Sequence, residues 1–181
     1  FLRGAWGYYY QSQFLNNLEV NDGITDYHQA ELAKHYVLGF EHLFKNGINI
    51  RVEGYLKDLS NLSPISQNMR DHLEIFPEQR NDYARVYYNG AKSRGIEFFL
   101  KYDQGGKFTW WFSYALAKAE DDVASIEYDG LLTKRTGNVP RLNDQRHTVY
   151  IDVNYRPNKK WHYNFSWQFY RGWPRTDYTY G

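Results

Sequence analysis

The chain has 181 residues, a net charge of +1 and a mean hydropathy of −0.78. With no basic excess to neutralise phosphates, nucleic acid is not expected as a partner. Apolar runs of only a few residues rule out a membrane-crossing helix or secretory segment, and the absence of cysteine removes disulfide scaffolds and zinc–thiolate sites.

Seven segments alternate between large apolar and small or polar residues, the period-two signature of strands: 2–10, 34–44, 48–58, 94–102, 107–119, 147–156 and 161–171. The chain opens on Phe1 rather than Met, directly before the first segment, and is expected to be part of a longer protein. At 9–13 residues each, the segments exceed a soluble strand of about 5–6 residues and suit a tilted membrane strand of about 9–11. Tight turns at 45–47 (KNG), 103–106 (DQGG) and 157–160 (PNKK) alternate with long polar connections at 11–33, 59–93 and 120–146. This sorting places every tight turn at one end of the strands and every long loop at the other, as in an outer-membrane barrel.

One face of these strands is apolar and bulky, running through Tyr36–Phe44, Ile48–Leu56, Ile96–Tyr102, Phe108–Leu116, His147–Tyr155 and Trp161–Phe169 at alternate positions, with no Asp, Glu, Lys or Arg. Its aromatic residues gather toward strand ends (Phe44, Tyr102, Phe108, Tyr155, Trp161), as interfacial girdles do. The opposite face carries Glu41, Arg51, Glu53, Lys57, Glu97, Lys101 and Asp152. In a barrel these seven form the lumen wall, hydrated and laced by cross-strand ion pairs. A soluble β-sandwich that binds polysaccharide would also alternate; the long bulky apolar face, the girdles and the sorted loops favour lipid. The expected fold is therefore all-β: about seven strands of an antiparallel transmembrane β-barrel segment, one partial barrel domain over 1–181.

The stretches 33–62, 93–122 and 143–176 carry more specific patterns. Gly95-Ile96-Glu97 leads into a tight turn, Ser113-Tyr114 rises into an acidic connection, Asp144-Gln145-Arg146-His147 initiates a strand, and Gly172-Trp173-Pro174-Arg175-Thr176 closes the series. In this order they resemble the C-terminal part of the barrel of TonB-dependent outer-membrane receptors. The resemblance implies a plugged barrel of about 22 strands in a Gram-negative outer membrane. It would import a scarce bulky nutrient (siderophore, cobalamin, glycan or peptide) without covalent chemistry or a cofactor. It also implies partners: the TonB complex acting through a plug, outer-membrane lipid, the nutrient ligand, and a surface lipoprotein as a further candidate. Neither the plug nor the final strand is recognised within these residues, and seven strands leave two open edges that lipid does not tolerate. Other barrels, a porin or an outer-membrane lipase, are the remaining alternatives.

Candidate ligand contacts are the loop groups Tyr27, Arg80, Tyr83, Arg85, Tyr87, Tyr88 and Tyr128, able to stack or to hydrogen-bond. Asp144, Gln145, Arg146 and His147 are expected to tie a loop base through hydrogen bonds and an Arg–carboxylate pair. Enzyme chemistry is not expected. Asp121 and Asp122, with Glu120 and Glu127 nearby, lie in what reads as a flexible acidic loop that cannot hold a glycosidase pair at fixed separation, and no nucleophile elbow is present. Metal sites are not expected either. Aligning Gly23 with the glycine of a calcium loop puts Val20 and Leu18 at ligand positions, leaving only a looser set of Glu19, Asp22 and Asp26. His28, His35 and His42 recur every seven residues, but parity sets His35 and His42 on opposite faces.

Overall fold

In the computed structural model, residues 1–13, 26–68, 83–141 and 144–174 are described. They form one open antiparallel sheet of nine strands and, among the described residues, no helix. The strands are β1 (Leu2–Gln11), β2 (Glu31–Leu43), β3 (Ile48–Ser60), β4 (Ile65–Asn68), β5 (Tyr83–Tyr102), β6 (Phe108–Tyr128), β7 (Leu131–Pro140), β8 (His147–Tyr155) and β9 (Tyr163–Tyr170). The seven-strand meander read from alternation is the path β1-β2-β3-β5-β6-β8-β9, with β4 added to the outer end of β5 and β7 to the outer end of β6.

The tight turns share one end of the sheet. Gly47 at φ 78° and Gly105 at φ 71° supply the left-handed residues that these reversals need. Asp103 N–H donates to the Gly47 carbonyl at 3.1 Å, and Arg156 N–H to the Lys107 carbonyl at 2.6 Å, so each turn touches the next. The antiparallel register sends the three long connections to the other end.

Two of those connections are not the loops expected of them. Within 59–93 and 120–146 lie the end of β3, all of β4, the first half of β5, the part of β6 from residue 120 onward and all of β7. The acidic run Glu120–Asp122 is thus on a strand, and Asp121 and Asp122, as neighbours, point to opposite faces. These extensions form a ridge above the seven-strand sheet. Asp129 at φ 50° and Gly130 at φ 70° turn β6 into β7 with the two left-handed residues of a tight hairpin.

Residues directly opposite one another in an antiparallel ladder share a face, so the register assembles the faces into rows. Phe40, Val52, Phe98, Tyr114, Val149 and Phe169 form one continuous row across six strands. Leu100, Phe112, Ile151 and Trp167 form the next. No second layer covers these rows among the described residues: Phe40 is 47% exposed, Phe169 50% and Trp167 45%. The buried apolar residues sit elsewhere, in and beside the ridge, and are Leu62, Ala84, Val86, Ala91 and Val123. Among the described residues, the large apolar side chains of this face are thus left exposed while the buried apolar residues lie at the other end of the strands.

Candidate functional site

The polar face is built by side chains that cross between strands. Arg3 on β1 reaches over β2 to pair with Glu53 on β3, through a gap that only a missing side chain leaves. A Cβ at Gly39 would stand 2.9 Å from Arg3 Nε and 3.4 Å from Glu53 Oε2. The Tyr55 ring likewise folds over Gly95, where a Cβ would meet it at 2.8 Å.

Of the seven wall residues, only Glu53 joins a cross-strand ion pair among the described residues; the others use different partners. Glu41 accepts a hydrogen bond from Asn49 Nδ2 at 2.9 Å, although Arg51 stands directly opposite it. Arg51 instead lays its guanidinium 5.0 Å from the Phe99 ring centre. Lys101 pairs with Asp103 of the adjoining turn at 3.2 Å. Glu97 opposes Glu53 in register, and Lys57 lies between His35 and Ser93. Asp152, 9% exposed, accepts from Ser166 Oγ at 2.6 Å, Asn164 Nδ2 at 3.1 Å and Asn154 Nδ2 at 2.6 Å.

Beside that network runs a strip of rings that alternation alone did not single out. Phe99 and Trp111 stand 5.8 Å apart, and Trp111 stacks on Tyr150 at 4.4 Å with planes 9° apart. With Arg51 at its end, the strip joins β3, β5, β6 and β8 on the polar face. Each such ring pair contributes about 0.5–1.5 kcal/mol beyond area burial. Rings flanked by amides and a carboxylate can stack on a flat apolar surface while hydrogen-bonding its polar rim. The signal was present: Trp111, neighbour of Trp110, has the parity of the polar face.

The ligand-contact candidates do not converge on one site. Tyr83, Arg85, Tyr87 and Tyr88 stand on β5, not in a loop. Asn89 on β5 and Ala124 on β6 are each left without a register partner, and each such bulge reverses which side the residues beyond it face. Tyr88 consequently shares a side with Val123 and Asp121, in line with the wall. Tyr83, Arg85 and Tyr87 take the other side, where the Tyr87 hydroxyl donates to Glu127 Oε2 at 2.8 Å and Arg85 lies 5.8 Å from the Tyr87 ring centre. Tyr128 is exposed at the end of β6, Tyr27 is exposed ahead of β2, and Arg80 lies outside the described residues.

Burial, reinforced by the Asp121 carboxylate and opposed by Arg141, raises the Tyr88 phenol to about 12. Burial also pushes Asp121 above the ordinary carboxylate range, against the pull of Arg141 at 3.1 Å.

The Asp144–His147 element closes the base of the β6–β8 connection. Asp144, 7% exposed, accepts the Ala119 N–H at 2.8 Å and donates its own N–H to the Arg141 carbonyl at 2.9 Å. Arg146 stands 3.9 Å from Asp144, and its carbonyl accepts the Ala117 N–H at 3.1 Å. Gln145 is half-buried between them. His147 Nδ1 lies 3.0 Å from the Tyr114 hydroxyl on the apolar face.

Among the described residues no group of three His, Asp or Glu is arranged to hold a metal ion. Glu19 and Asp22 lie outside the described residues and Asp26 is exposed. His42 packs 4.4 Å from Phe44 on the apolar face while His35 packs 4.6 Å from Tyr9 on the other, so these two cannot share an ion. Comparison with family models, curated proteins and solved structures yields no match to this chain.

Proposed function

We propose that this sheet is a wall section of a β-barrel in a Gram-negative outer membrane, part of a TonB-dependent receptor that imports a scarce bulky nutrient. The observation that carries the reading is the bare apolar face, continuous over the strands and set against a hydrogen-bonded polar face. Burying a large apolar side chain is worth roughly 1.5–3 kcal/mol, so covering Leu38, Phe40, Ile96, Leu116, Phe165 and Trp167 is worth on the order of 10 kcal/mol. That equals the whole stability of a typical domain, about 5–15 kcal/mol. Acyl chains supply the cover without needing a second sheet. Five apolar rows, from Phe108 to Leu116 on β6, rise about 3.3 Å per residue along a tilted strand. They fill most of an apolar band about 25 Å tall.

In this barrel β1 and β9 pair with further strands, since lipid does not tolerate open edges. The ridge and long connections stand at the cell surface, and the polar face, with its strip of rings, lines the lumen. The receptor assignment rests on the sequence patterns at Gly95–Glu97, Ser113-Tyr114, Asp144–His147 and Gly172–Thr176. Passage through such a barrel is opened by TonB-driven work on a plug, so binding and transport separate. In cells lacking TonB, the protein is expected to bind its nutrient at the surface and fail to import it. Uptake that survives loss of TonB would make it a passive porin, and a protein soluble without detergent would overturn the membrane reading itself.

A further inference from the structure

The outward face is not uniformly flat. A groove of about 1170 Å³ runs across the strands between two rows of outward side chains. Leu38, Gly54, Ile96 and Leu116 form the wall nearer the tight turns; Trp6, Tyr36, Leu56, Arg94 and Lys118 form the other. The floor is backbone, exposed because the intervening residues point to the polar face. Gly54 deepens the groove: a Cβ there would meet nothing nearer than the Gly95 carbonyl oxygen at 3.9 Å.

One end of this apolar groove is cationic. Arg94 and Lys118 stand directly opposite each other in the β5–β6 ladder, and Arg146 lines the same end. Like charges in directly opposed positions are destabilising. Lys118 is partly offset by Glu120 at 2.6 Å, whereas Arg94 is exposed and has no ion pair among the described residues. Two cations held together at the border of an apolar band match an anion that arrives with its own hydrocarbon.

We propose that the groove binds a phosphorylated lipid of the surrounding bilayer, its acyl chains laid between the two rows and its phosphate held by Arg94 and Lys118. The phosphate would convert a repulsive pair into two charge-assisted hydrogen bonds. This inference rests on the membrane reading, and its test separates the two. The full-length protein is purified from membranes in a neutral detergent, its folded state is checked by heat-resistant gel mobility, and it is titrated by native mass spectrometry with dioleoyl phosphatidic acid or with dioleoylglycerol. Wild type is expected to retain one phosphatidic acid and not the diacylglycerol. The double variant Arg94→Gln/Lys118→Gln, which relieves the like-charge pair and so keeps its fold, is expected to lose at least tenfold in affinity. Gly54→Leu is expected to lose affinity by filling the groove with no change of charge. Folded protein that binds both lipids equally, or a double variant that binds as wild type does, overturns the lipid site alone. Protein that folds without membrane or detergent overturns the lipid site and the membrane reading together.

Discussion

Replacing Trp110, Phe112 and Tyr114 together by leucine asks what the apolar face touches. On β6 these three stand in successive outward rows, and each meets one ring of an adjacent strand. Trp110 lies 6.3 Å from Tyr102, Phe112 lies 6.2 Å from Phe98, and Tyr114 lies 6.2 Å from His147, with a 3.0 Å hydrogen bond between the last two. Losing three ring pairs costs about 1.5–4.5 kcal/mol at about 0.5–1.5 each. The hydrogen bond adds about 1 kcal/mol. In a lipid-facing wall that is the whole loss, because acyl chains conform to leucine as readily as to rings. In a packed sandwich, large aromatic truncations cost about 3–5 kcal/mol each for full removal, somewhat less for leucine, and three would exceed most domains' stability. The triple-leucine protein is therefore expected to assemble in membranes and to keep heat-resistant mobility on gels. Phe112→Arg, at mid-band, is expected to impair assembly by about 2–4 kcal/mol. Loss of assembly in the triple-leucine protein would mean that the face packs against protein.

The Arg3–Glu53 pair depends on the gap at Gly39, so Gly39→Ala and Arg3→Ala are each expected to cost about 0.5–1 kcal/mol. In a double-mutant cycle their effects should not add; full additivity would show that the glycine serves something else. Gly90→Ala would drive a Cβ to 2.7 Å from the Leu59 carbonyl oxygen. Overpacking of that kind costs about 1–3 kcal/mol, and limited proteolysis should cut the ridge sooner while gel mobility of the assembled protein stays unchanged. Because the Tyr88 phenol is raised from 10 to about 12, the stability it protects is complete below pH 10 and drains away as pH climbs toward 12. Ridge protection against proteolysis should fall across that window in wild type and not in Tyr88→Phe; an identical alkaline profile in the two would remove Tyr88 from the account.

The seven-strand path was legible because alternation between large apolar and small or polar residues marks each of its segments. The ridge was not. Asn89 and Ala124 each break period two, so Tyr83–Tyr88 and Glu120–Tyr128 read as polar loop although they continue strands. Asp129-Gly130 between Tyr128 and Leu131 carries the sequence signal of the ridge hairpin. The register sets Glu41, Arg51, Glu53, Lys57, Glu97, Lys101 and Asp152 on one face of the sheet, as parity groups them, but partner choice depends on register. Arg51 faces Glu41 yet lies on Phe99, and Arg3 bypasses its neighbour for Glu53, because Gly39 opens a path that composition cannot announce. The strip Phe99–Trp111–Tyr150 depends on three strands meeting in one register, which no single segment encodes.

The unpaired residues Asn89 and Ala124 act as a matched pair of frame shifts in three dimensions. Each shifts the sequence parity of its own strand by one, while the pairs beyond it continue. Deleting either residue alone should remove its own bulge and leave the remaining pairs and their sides in place, because the excised residue has no register partner. Deleting both should leave an unbulged ladder with the same pairs, so that Tyr83, Arg85 and Tyr87 stay on the side they now face. The ridge can therefore lose a residue from either strand and still present the same side chains to the outside, with the sheet beneath it untouched.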